Sequence, residues 1–147
     1  RSRRIGPFTV SSMQLIHPQP CFGYRIKAEG KTYVHMTDHE FTKLSSDDLR
    51  KYTRFAQNAD MLIADAQFDL SQAVIDYAEW GHSCILQYLE LFYRSNIGRM
   101  VHYSLNPQVQ DSHLDYQIEQ ARAYLAHLDP KSKMKIFGAV EGLTVQL

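Results

Sequence analysis

Apolar positions follow two different rhythms along this chain. In the first 40 residues they fall in short β-prone runs. Residues 8–17 read as a strand, with Val10 and the run 13–16 supplying β-prone side chains. Residues 22–28 and 32–36 read as two more, joined by a turn at Glu29-Gly30-Lys31, where glycine permits positive φ. Beyond residue 44 the spacing becomes helical. Ser45-Ser46-Asp47-Asp48 resembles a capping box that opens a helix to about Asn58. Residues 61–64 are a short apolar strand, and residues 70–78 read as a helix broken by Trp80-Gly81-His82-Ser83. Ile85, Leu86, Leu89 and Phe92 repeat at helical spacing within residues 84–93. Residues 99–103 form a strand. Asp111 or Ser112 caps a helix to about Leu128, with Leu114, Ile118, Ala121 and Leu125 facing inward and Pro130 ending it. Residues 135–147 read as two short strands around Glu141-Gly142. Strands first, then alternating helices and strands, predict an α+β layered fold. One sheet face would carry helices and the other a stacked sheet.

Composition narrows the class. At 147 residues the chain fits one domain, and 44% hydrophobic content suffices for a core. Sixteen basic residues balance sixteen acidic ones, which gives no electrostatic argument for nucleic acid or an anionic membrane. The basic run Arg1, Arg3, Arg4 is expected to be a frayed terminus. Cys21 and Cys84 form no CxxC pair, so both are expected to be reduced and the compartment cytoplasmic. No apolar run approaches the roughly 18 residues of a membrane span. The chain begins without methionine, close to a strand, and is expected to be part of a longer protein.

His17 and Asp38 each sit just past an extended segment. Ligands from separate strands converge at such sheet edges, and imidazole with carboxylate suits zinc, iron or manganese. The residues from His17 through Gly23-Tyr24-Arg25-Ile26 to Thr37-Asp38-His39-Glu40 resemble the third and fourth motifs of the metallo-β-lactamase superfamily, in its ribonuclease Z and phosphodiesterase branch. The resemblance continues through residues 59–68, Trp80-Gly81-His82-Ser83, Asn106-Pro107 with Asp111, and the ending at residues 139–143. It implies the C-terminal half of a four-layer αββα sandwich. It implies a hydrolase of phosphodiester or related ester bonds, using divalent ions, zinc foremost and manganese or iron otherwise, two per complete site. His17 would bind one metal, Asp38 would bridge two, His82 would sit beside the leaving group, and Asp65 would orient His82. The metals would polarise the scissile group and activate a water.

Three departures temper the activity. The His-x-His-x-Asp-His signature that supplies most ligands is absent from these residues. Ser104 stands where the last ligand histidine is expected, and His102 could replace it only through a shifted register. Ala64 replaces a histidine common before Asp65. The alternative is a degenerate, non-catalytic binding or regulatory member. The expected partners are a small-molecule or phosphodiester substrate, and either a second copy or an N-terminal half bearing the missing signature. Glu40 reads equally as a hydrogen-bond acceptor near the site or as an exposed carboxylate. His35 and His39 read as surface or supporting residues, His113 and His127 as solvated, and Cys84 as a nucleophile lacks a positioned base.

Overall fold

The computed structural model describes residues 2–103 and 106–147, so the Ser104 expectation lies outside the described residues, as does Arg1. One seven-stranded sheet runs in sequence order. Its strands are β1 (Ser2–Ile5), β2 (Phe8–Leu15), β3 (Cys21–Ala28), β4 (Lys31–Met36), β5 (Met61–Asp65), β6 (Arg99–Tyr103) and β7 (Lys135–Gly138). The helices are α1 (Ser46–Ala56), α2 (Ile85–Phe92) and α3 (Asp111–Leu128).

Pairing is antiparallel from β1 to β4 and parallel from β4 to β7. It follows that β2, β4, β5, β6 and β7 all point the same way. Their C-terminal ends share one sheet edge, where open α/β sheets place their ligands. His17, Asp38 and Asp65 sit at or just past three of those ends.

The helices cover one face. Val34, Met36, Leu62, Ala64, Met100 and Ile136 meet Tyr88, Leu89, Phe92, Ile118, Ala121 and Leu125 in the main core. The opposite face holds Met61, Ile63 and Val101, with Tyr33, Phe137 and the tail residues Ala139, Val145 and Leu147 over them. Every residue of β5 is therefore buried, which explains its unbroken apolar run. The register Tyr24–His35–Ile63–Val101–Phe137 continues that second face outward. Toward the β1 side it is open, with Phe8, Phe22 and Tyr24 exposed. The chain thus supplies one helical layer and one sheet layer, and the expected second sheet is not among the described residues.

The Ser45 capping box forms as expected, with Ser45 Oγ accepting from the Asp48 N–H at 3.1 Å. Several local expectations need correction. The first residues are not frayed, because Arg3 and Arg4 lie in β1, paired with β2. The helix expected over 70–78 shrinks to one π turn, Gln72–Asp76, whose apolar Val74 and Ile75 face solvent and cannot anchor it to the core. Residues 139–147 form no second strand, and the tail is held instead by Arg99 Nη1 donating to the Gln146 carbonyl at 2.6 Å. The N-cap position of α3 falls on Gln110, whose side chain makes no capping bond, and not on Asp111 or Ser112. On α3, Gln117 is buried and Leu114 only partly so, because the Gln117 amide donates to Asp69 Oδ1 at 2.7 Å. His113 is not merely solvated, since its Nε2 sits 3.0 Å from Asp69 Oδ2.

Two histidines are fully enclosed. His39 is packed edge-on against Phe41 and Tyr52, and His102 lies under α3. Neither ring has a hydrogen-bond partner among the described residues; Gln117 lies near His102 but its amide is turned to Asp69. Burial pushes His39 down to about 3 and His102 down to about 4. A histidine whose folded pKa is depressed stabilises the fold above its unfolded value, and that contribution fades as pH falls toward the folded value. Urea midpoints should therefore drop between pH 6.5 and pH 4. Each ring would contribute a slope approaching about 1.4 kcal/mol per pH unit. His102→Leu should remove one ring's share, and an unchanged slope in that variant would contradict the assignment.

Candidate metal centre

The centre is organised by Asp65, the last residue of β5, which is fully buried. A bare carboxylate there would be costly unless hydrogen-bonded. Its Oδ2 accepts the Asp38 N–H at 2.7 Å and lies 2.8 Å from His82 Nδ1. Its Oδ1 accepts the N–H groups of Ser83 at 3.3 Å and Gln67 at 3.4 Å. A carboxylate can only accept, so His82 carries its proton on Nδ1 and turns Nε2 away. Burial lowers the His82 pKa, but the hydrogen bond and charge of Asp65, aided by Asp38 and Glu40, outweigh it and hold the ring above its ordinary value.

Asp38 follows β4 with φ of +55°, a left-handed conformation that aspartate tolerates better than most residues. The bond from its N–H to Asp65 holds that geometry. Its side chain is about half exposed, and Oδ1 lies 3.8 Å from His82 Nδ1. Donor atoms of Asp38, Asp65 and His82 all lie within 4.8 Å of one another. His17 completes the group, its ring edge-on to His82 at 5.9 Å between centroids. Its Nδ1 is 3.2 Å from the Gln19 carbonyl and 3.1 Å from the Gln19 N–H. The tautomer that donates from Nδ1 to the carbonyl leaves Nε2 as a lone-pair donor, the usual arrangement for a metal-binding histidine.

Two residues that sequence reasoning undervalued hold this group together. Glu40 is buried, not exposed. Its carboxylate accepts the N–H groups of Glu79 at 2.8 Å and Gly81 at 3.0 Å, and the Thr42 hydroxyl. Its own N–H donates to the Ile16 carbonyl at 2.9 Å, beside His17. Gly81 has φ of +92°, and a Cβ added there would lie 2.1 Å from His17 Cδ2. Only glycine lets the His82 loop approach His17 so closely. Ser83 Oγ donates to the His39 carbonyl at 2.6 Å, and the Tyr88 hydroxyl donates to the Met36 carbonyl. The loops after β2 and β4 and the loop carrying His82 are thereby strapped into one unit.

The donor chemistry fits part of a divalent-cation site. Asp65 is saturated by hydrogen bonds, which makes it a support and not a ligand. The Asp38 carboxylate remains available, as does His17 Nε2 in the tautomer that carries its proton on Nδ1. A zinc site needs about four donors, so these two supply a fraction of one. His102 does not join them. Its register with Ala64 and Gly138 is unshifted, and it faces the helices, in the row of Ala64 and Met100. Cys84 is buried, and burial raises its thiol pKa, so it supplies no thiolate nucleophile.

No family model matches the chain. A probable metallo-hydrolase, YhfI of Bacillus subtilis, is 30% identical over 67 residues, or 46% of this chain. The crystal structure of YhfI, described as a metallo-beta-lactamase fold protein, superposes on 97% of the chain with a TM-score of 0.73 at 20% identity. The chain has the metallo-β-lactamase fold. Human tRNase Z, short form, shares this fold over 72% of the chain (TM-score 0.55, 23% identity). Zn(2+)-bound PqqB from Methylobacterium extorquens shares it over 100% (TM-score 0.60, 17% identity). The chain spans 50% of the solved YhfI chain and 39% of the tRNase Z chain, and the curated YhfI match covers 25% of that protein. At these identities the structural likeness concerns the fold, not the activity. Among the described residues, no helix is long and apolar enough to cross a membrane.

Gly81→Ala should separate His17 from His82 in this metallo-β-lactamase-fold centre. The expected outcome, in full-length protein, is loss of at least tenfold in zinc affinity with a cooperative urea transition retained. Unchanged zinc affinity would show that the close approach is dispensable.

Proposed function

We propose that this chain is part of a metal-dependent hydrolase acting on a phosphodiester or related ester. The observation that carries the reading is the buried Asp65 carboxylate, which at one sheet edge holds both the Asp38 backbone and His82 Nδ1. His17 and Asp38 would hold divalent ions, zinc foremost, with the remaining ligands coming from the N-terminal half of the complete protein. The likeness to a probable metallo-hydrolase and to Zn(2+)-bound PqqB supports a metal, and that to tRNase Z supports a phosphodiester. When bound, such ions polarise the scissile group and lower the pKa of water.

The chain's own residues would do the rest. His82 holds one proton at Nδ1 against Asp65. With Nδ1 held against Asp65, its Nε2 is the atom from which it would protonate the leaving oxygen. Asp65 fixes the ring's tautomer and orientation, and Glu40 fixes the loop. The open sheet face around Phe22 and Tyr24 is where the other half of the sandwich, or a second copy, would pack.

A second reading, a non-catalytic binding or regulatory member, draws on Ala64. It is fully buried in the helix-face core and offers no donor where a histidine is common. Metal analysis of full-length protein separates the two readings. A hydrolase should contain about two ions per chain. Asp38→Ala should abolish hydrolysis of bis(p-nitrophenyl) phosphate, and His82→Ala should lower kcat by about 10²- to 10⁴-fold. Metal-free protein that stays inactive after zinc, manganese or iron is added would sink the enzyme reading.

A further inference from the structure

We infer that Trp80, backed by Tyr77, is a stacking platform for a planar aromatic substituent of the ester, a nucleobase or an aryl group. The inference rests on the hydrolase reading above and adds a substrate class to it. Trp80 is 63% exposed, although an indole is among the most favourable side chains to bury. It stands two residues before His82, so its Cα lies within about 7 Å of that residue's.

The exposure does not come from a loose loop. The N–H groups on both sides of Trp80, those of Glu79 and Gly81, are bound by the buried Glu40 carboxylate. The Trp80 N–H donates to the Tyr77 carbonyl at 3.2 Å. The rings then form a continuous row. Trp80 meets Tyr77 edge-on at 5.0 Å, Tyr77 stacks on Phe68 at 4.6 Å, and Phe68 meets His82 edge-on at 5.9 Å. A fixed backbone thus presents an uncovered indole at the solvent end of an aromatic row whose inner end is His82. Base–aromatic stacking tolerates any planar ring because every such ring has a π face. The chain's zero net charge favours a small ester over a polynucleotide.

Trp80 is the only tryptophan in these 147 residues, and the difference between the emission of the protein and of its Trp80→Phe variant reports the site. Full-length protein would be titrated with adenosine 5′-monophosphate, phenyl phosphate and ribose 5-phosphate. Trp80→Phe would serve to isolate the Trp80 signal. Quenching by the first two but not by ribose 5-phosphate supports the platform. A response to only one of the two selects nucleobase or aryl. Trp80→Ala should weaken binding of the responding ligand roughly 5- to 150-fold by calorimetry, while Trp80→Phe, which keeps a ring, retains most of it. Equal affinity for all three ligands, or unchanged affinity in Trp80→Ala, overturns the inference. Blue-shifted emission that no ligand alters also overturns it, since Trp80 would then be covered by protein. Absent hydrolysis with the ligand-dependent quench intact would count against the hydrolase reading alone and leave the platform standing.

Discussion

The arrangement depends on one buried carboxylate. Asp65 ends β5, a strand covered on both sheet faces, and an ionised group there needs compensation on every lone pair it presents. Four N–H groups provide it: the Asp38, Gln67 and Ser83 backbones and the His82 ring. One of those donors belongs to the loop after β4 and the other three to the segment between β5 and α2. The requirement to satisfy Asp65 therefore sets where both loops lie. Removing that carboxylate would free the Asp38 N–H and release the His82 ring together, so position and protonation are coupled through a single side chain.

Glu40 solves the same problem one layer away. It is also buried, and it recruits N–H groups from Glu79 and Gly81 while its own N–H reaches the strand end that carries His17. Two buried carboxylates thus stitch three chain segments together around the centre. Asp38 and Glu79, two non-glycine residues with positive φ, both lie along this seam. Backbone strain of this kind persists only where surrounding bonds over-determine it, and here the bonds are those of Asp65 and Glu40.

Much of this was legible in the sequence. The strand and helix cores follow the apolar rhythm, and the ends of β2, β4 and β5 fall where His17, Asp38 and Asp65 predict them. A parallel sheet edge gathers such residues whatever their separation in sequence, which is why the spacing of His17 and Asp38 carried so much. The misses share a cause. Glu40, Gly81 and Gln117 act through tertiary hydrogen bonds or close approach, and no local pattern encodes those. Gly81 looked like a helix breaker and is a contact surface for His17. The π turn failed as a helix because Val74 and Ile75 have no core to face. The last strand failed because the tail satisfies itself by lying across the sheet face, held by Arg99.

Asp38 and Asp65 show how one residue type divides its work by environment. Both carboxylates lie within reach of His82. Asp65 is enclosed and spends its lone pairs on four donors, so it can orient but has little left to coordinate. Asp38 gives its backbone N–H to that network and keeps its half-exposed carboxylate out of it. The same bond that completes Asp65 therefore leaves Asp38 free and pointed by its left-handed backbone. If Asp38 and His17 hold an ion as proposed, a backbone fixed in this way would lower the ordering cost of binding it. Those bonds all lie within this chain, so a second half of the proposed site would dock onto an edge already held by Asp65 and Glu40.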